Sequence, residues 1–160
     1  MDFIVGLLES NGYNAILVMV DRLSKMAHYI PTTEKVMSEQ VARVFSDKVF
    51  KHDAIPDSIM SDRGTHFTSK FSKALSSLIG INQALSSSFH PQTDGETKRT
   101  NAILEQYLRG YINYQQNNWA ELLTVVEFSY NNAVSATTGI TPFFALYSQY
   151  ARYIIKPTPN

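Results

Sequence analysis

The chain has no cysteine among its 160 residues. Disulfides, cysteine-ligated zinc sites and thiol catalysis are therefore excluded, and a reducing compartment is compatible with it. It also lacks an excess of either charge, since 14 Lys and Arg balance 14 Asp and Glu. Nucleic-acid binders usually show a basic excess. Any polyanion binding must then come from local patches or from affinity supplied by neighbours. No apolar run approaches the length of a membrane span, so no membrane partner is expected. No basic and apolar leader opens the sequence, so secretion is not expected. No repeat, low-complexity tract or linker precedes the tail "KPTPN". What is present suffices for one domain with a sizeable core and is too short for two comfortable ones.

The first third reads as β. "MDFIVGLL" is an apolar run interrupted by Asp2, and Asn11-Gly12 is a hairpin signal. "AILVMV" (15–20) reads as a buried strand, and "KMAHYIP" (25–31) follows the turn at Asp21-Arg22. Val41, Val44, Phe45 and Val49 then recur at helical spacing behind Ser38 as N-cap. "SIM" (58–60) is a short strand. Phe71, Leu75, Leu78 and Ile79 mark a helix that Gly80 ends. "INQAL" (81–85) is a fifth strand, followed by a polar loop. Leu104, Tyr107, Leu108 and Tyr111 mark a long helix, Trp119 to Tyr130 a further one, and Pro142 starts a last short one. The order β-β-β-α-β-α-β-α-α-α predicts an α/β fold with a mixed sheet and helical crossovers.

Asp2 lies inside an apolar strand pattern, where a carboxylate is costly unless paired, hydrogen-bonded or metal-bound. Asp62 directly follows a short apolar strand, where open α/β sheets place binding groups. Two acids on one sheet can converge on a hard divalent cation. Against that, an Asp after a strand is commonly a turn former or a cap. His66 and His90 read as turn and loop residues, because no metal-spaced set surrounds them. Asp21 reads as a turn residue. Lys70, Lys73, Arg99 and Arg109 are candidates for phosphate contacts, or simply the solvated faces of helices.

The stretches "MDFIVGL", "YNAILVMVDRLSKMAHYIPT", "SIMSDRGTHFTSKF", "FHPQTDGETKRTN", "LEQYLR" and "FSYNNAVSATTGITPFFALY" resemble the integrase catalytic core of gypsy-type LTR retrotransposons. The resemblance implies a ribonuclease-H-like fold, a five-stranded mixed sheet flanked by helices. It places the core at residues 1–150, slightly truncated at its first strand, with 151–160 as a tail. Asp2 is expected on the central strand of the meander and Asp62 at the end of its neighbour. The implied activity is metal-dependent polynucleotidyl transfer on DNA, with two Asp and one Glu holding Mg²⁺ or Mn²⁺. Asp2 and Asp62 match the first two acids. Implied too are a DNA partner, homo-oligomerisation and a nuclear, otherwise cytoplasmic, location.

The third acid of the family follows the second after thirty-five intervening residues, and that position is Lys98. Where the family usually reads Gln-Thr-Glu-Arg, this chain reads Glu96-Thr97-Lys98-Arg99. Glu96 has two readings. It is a displaced third catalytic carboxylate, or it forms a capping box with Thr93. Two residues on a helix mean about 200° of rotation and about 3 Å of rise, so metal ligation by Glu96 requires residues 94–97 to rearrange as loop. An ammonium cannot ligate a cation and repels it. The expectation is an impaired integrase core, or alternatively a catalytically dead nucleic-acid-binding or assembly module.

Overall fold

The computed structural model describes residues 1–51, 56, 58–61, 64–80, 86–88 and 95–152. Strands β1 (Asp2–Ile4), β2 (Ala15–Val20) and β3 (Ala27–Thr32) form an antiparallel meander in the order β1-β2-β3. The β1–β2 connection closes at Asn11-Gly12, with φ of 53° and 82°. Two successive positive φ values are what a tight hairpin turn of this twist demands, and Asn and Gly are the residues that accept them. Ser10 and Tyr13 bracket it with two backbone hydrogen bonds of 2.8 and 3.0 Å.

Helix α1 (Ser38–Phe45) continues into a π-helical turn, Ser46–Phe50. The cap of α1 is Met37, not Ser38. Gln40 Oε1 accepts the Met37 N–H at 3.0 Å, and Ser38 is buried one residue inside the helix. Strand β4 (Ser58–Met60) leads to helix α2 (Gly64–Ile79), which ends at Gly80 with φ 72°. His66 therefore lies in a helix rather than in a turn. The fifth strand, β5, is Ser86–Ser88 and pairs parallel with β4. Residues 81–85, the expected strand, lie outside the described residues. Helices α3 (Gly95–Tyr111), α4 (Trp119–Asn131) and α5 (Pro142–Tyr147) complete the order.

The fold is the expected α/β arrangement of a mixed sheet flanked by helices. The sheet forms two ladders, β1-β2-β3 and β4-β5. The Met1 amino nitrogen joins them by donating to the Met60 carbonyl at 3.0 Å. Asp2 is not on the central strand of the meander. That strand is β2, whose first five residues are all buried, and β1 pairs on one side of it.

Alternation along β2 divides the core. Leu17 and Met19 pack with Phe45 of α1 and with Phe71 and Leu75 of α2. Ile16 and Val18 pack on the other face with Leu104 and Leu108 of α3 and with Trp119, Leu123 and Val126 of α4. A strand buried on both faces needs helices on both. The start of α4 is tied to the β1–β2 hairpin. Ser10 Oγ accepts the Ala120 N–H at 3.2 Å and donates to the Asn117 carbonyl at 2.7 Å, while Trp119 Nε1 donates to the Leu8 carbonyl at 2.8 Å. Asn118, the local cap residue, makes no side-chain cap of its own. Among the described residues no helix is long and apolar enough to cross a membrane.

Candidate active site

Asp2 opens β1 opposite Val18, so both belong to the α3 side of the sheet, while the next residue, Phe3, joins the α1/α2 core. Asp2 is only 7% exposed. Such burial demands partners, and two are present. Oδ1 accepts the Phe3 N–H at 2.8 Å, and Oδ2 accepts a short hydrogen bond from Asn101 Nδ2 on α3. The other end of that amide, Asn101 Oδ1, is buried with no hydrogen-bond partner among the described residues.

The Met1–Met60 bond sets the end of β4 beside the start of β1. Ser61, next in the chain, is buried. Asp62 lies outside the described residues, as do His90 and Thr93. Among the described residues no three His, Asp or Glu side chains converge.

Lys98 is exposed and precedes Asn101 by three residues on α3. Positions three apart are neighbours on one helix flank, so position 98 flanks the Asp2–Asn101 contact one turn toward the N-terminus. Position 96 lies about 200° further round. α3 starts at Gly95, so residues 95–97 are helix and not the loop that Glu96 would need to reach Asp2. The capping box with Thr93 requires a start one residue earlier than Gly95.

The four basic candidates do not form one patch. Lys70 and Lys73 are exposed on α2, and Arg99 and Arg109 are exposed on α3. These helices cover opposite faces of the sheet. Arg109 also lies 3.7 Å from Glu105 one turn away, which offsets part of its charge. Asp21, as expected, is a turn residue. Its carboxylate accepts from the Ser24 hydroxyl, from the Ser24 N–H at 2.8 Å and from the Leu23 N–H at 3.4 Å. Burial pushes its pKa up, but the bonds from Ser24 and Leu23 together with the charge of Lys25 outweigh it and hold the group below 3.8.

No family model matches the chain. It is 41% identical over 143 residues to the transposon Tf2-3 and Tf2-4 polyproteins of Schizosaccharomyces pombe (strain 972 / ATCC 24843), covering 89% of this chain and 11% of each relative. The chain thus spans about a tenth of the length of these relatives. Among solved structures it superposes on the HTLV-2 integrase catalytic core domain in complex with magnesium (trimeric form). That match has a TM-score of 0.65 and 18% identity, and covers 91% of this chain and 94% of that one. The catalytic core domain of BIV integrase gives a TM-score of 0.61 and 19% identity, with 92% and 93% covered. The chain belongs with the gypsy-type LTR-retrotransposon integrase cores.

In this integrase core the residue that sequence reasoning passed over is Asn101. It lies inside the motif "FHPQTDGETKRTN", and its contact with Asp2 spans 99 residues of chain. The available signal was its spacing of three from position 98, which places it on the same flank of a helix.

Proposed function

We propose that this integrase core is built for metal-dependent polynucleotidyl transfer on DNA and is impaired because Lys98 occupies the third carboxylate position. Asp2 is the first ligand and Asp62 the second. The observation that supports this reading is the Asp2–Asn101 contact, because it ties α3 to β1 three residues after position 98. The magnesium in the name of the HTLV-2 core structure supports a divalent cofactor by similarity.

The residues fit a hard cation in part. Asp2 offers carboxylate oxygen, and Asn101 Oδ1 is a buried acceptor without a partner among the described residues. Oxygen donors of this kind suit Mg²⁺ or Mn²⁺. Lys98 does not fit, since it brings positive charge and no lone pair. When bound, the ion would stabilise charge on phosphoryl oxygens and lower the pKa of water. What the chain itself supplies is a carboxylate held in one orientation by Phe3 N–H and Asn101 at the start of β1.

Glu96 is in this reading a residue of the first helical turn, where an acid favours the helix dipole, and not the third ligand. Lys70 with Lys73, and Arg99 with Arg109, are proposed as two separate phosphate-contact pairs. A homo-oligomer in the nucleus is proposed on the same similarity; solved neighbours include trimeric and dimeric forms of the HTLV-2 core. The test is strand transfer, and its reversal on branched DNA, with Mn²⁺. The Lys98→Glu variant should exceed the natural chain. Equal activity in both, abolished by Glu96→Ala, would show that Glu96 is the working third acid. Inactivity of both, with DNA binding retained, would favour the dead binding or assembly module.

A further inference from the structure

We propose that the β2–β3 turn, Asp21–Met26, is a DNA-contact tip in which Arg22 and Lys25 take phosphates and Leu23 seats against sugar or base. The inference rests on the reading that this core acts on DNA, and it adds residues outside the four basic candidates.

The turn is fixed in shape. Asp21 N–H donates to the Met26 carbonyl at 2.8 Å, and Lys25 N–H donates to the Asp21 carbonyl at 2.9 Å. The Asp21 side chain binds Ser24 and Leu23 from below, and Ser24 is itself buried. Lys25 sits at φ 65°, a left-handed conformation in which a non-glycine residue needs support from its surroundings. Its Nζ donates to the Arg22 carbonyl at 2.6 Å, which holds the two cationic residues side by side. A tip already ordered loses little freedom on binding.

The chemistry of the tip is mixed. Leu23 is 87% exposed, the most exposed large aliphatic side chain among the described residues. Arg22 and Lys25, both outside the buried core, flank it. The one acid of the turn directs its oxygens to the turn's own N–H and hydroxyl groups. Duplex DNA presents phosphates alongside apolar sugar and base surface. Proteins meet it with Arg and Lys on the phosphates and, in minor grooves, with aliphatic wedges such as Leu.

The position is right as well. Arg22 Nη1 lies 4.0 Å from Met60 Sδ, at the end of the sheet where Met1 and Met60 are joined and Asp2 begins β1. DNA lying across Asp2 would meet this tip.

The test is fluorescence anisotropy of a short labelled DNA duplex against the whole chain, titrated at several salt concentrations. Arg22→Ala combined with Lys25→Asn should lower affinity on the order of tenfold at 0.1 M salt and reduce the salt slope by about 1.8, at roughly 0.9 for each phosphate no longer neutralised. Asn is chosen because it accepts the left-handed backbone of position 25. Leu23→Ser should weaken binding with the slope unchanged. Lys35→Ala with Lys48→Ala removes the same charge elsewhere and should leave binding as in the natural chain. Unchanged melting temperatures will show that all variants fold. If the tip variant matches the Lys35/Lys48 control, the inference fails while the DNA reading stands. If the natural chain binds no DNA at low salt, both fail. A Leu23→Ser effect confined to self-association in sedimentation would assign the tip to a protein contact and overturn the proposal.

Discussion

The side-chain amide of Asn131 exchanges two hydrogen bonds with the backbone of Ala27. Nδ2 donates to the carbonyl at 2.8 Å, and Oδ1 accepts the N–H at 2.9 Å. An amide in this position stands in for a neighbouring strand. One turn earlier on α4, Glu127 Oε2 accepts the Tyr29 N–H at 2.8 Å. Pro31, next in the same outward series, has no N–H to satisfy. The outer edge of β3 is thus closed by side chains and by a proline, which is how sheet proteins block edge-to-edge pairing.

Asn131→Ala should destabilise the core by roughly 2–4 kcal/mol, because both polar groups of Ala27 lose their partners in a buried setting. Urea unfolding midpoints measure it. A loss below about 0.5 kcal/mol would mean that water replaces the amide without penalty.

Tyr29→Phe should leave stability unchanged or raise it by up to about 1 kcal/mol. The Tyr29 side chain is only 4% exposed, and its hydroxyl is buried without a hydrogen-bond partner among the described residues. Burial, with the charges of Tyr130, Glu127 and Tyr107, raises its pKa far above the ordinary 10.0. The ring keeps its edge-to-face contact with Tyr130 in the variant. Thermal melting of the two proteins gives the sign, and a large loss would reveal a partner for the hydroxyl.

The β2–β3 turn should weaken in acid. The folded pKa of Asp21 is depressed, so its contribution is full above the unfolded value near 3.8 and disappears as pH falls through the lower, folded value. Asp21 is exposed, so the effect should stay below about 1 kcal/mol. Asp21→Asn should show a flatter stability profile than the natural chain between pH 5 and about 3. Identical profiles would exclude the linkage.

Lys98→Glu should raise Mn²⁺ affinity in calorimetry, since on the proposed function it replaces a repelling ammonium by an oxygen ligand at the third carboxylate position. Glu96→Gln should leave that affinity unchanged on the proposed reading of Glu96 as a first-turn residue and not a ligand. A drop on Glu96→Gln would contradict the helical register of residues 95–101.

Features that depend on a few adjacent residues were legible in the sequence. Asn11-Gly12 announced its hairpin, Gly80 its left-handed helix end, and Pro142 the start of α5, where Thr141 Oγ1 caps the Phe144 N–H at 3.1 Å. The apolar run 15–20 announced a buried strand. Features that depend on distant partners were not legible. β5 is three serines, which have no strand character of their own; parallel pairing to β4 through the backbone makes them a strand. Asn101 and Asn131 look like ordinary helical polar residues until the chain brings Asp2 and Ala27 to them. Nor does sequence alone show which face of the sheet each helix with basic residues covers.

The closure of β3 also has a schedule. Ala27 waits for a side chain made 104 residues later. At about 5–20 residues per second, the ribosome leaves that strand edge unguarded for roughly 5–20 s. During that interval the meander of one nascent chain presents to another the N–H of Ala27 and of Tyr29. Chains arrested before Glu127 should therefore associate through β3 and be resolubilised when α4 is supplied as a separate peptide. Sedimentation of truncated translation products would show it. The last third of this integrase core is, in this sense, the chaperone of its first.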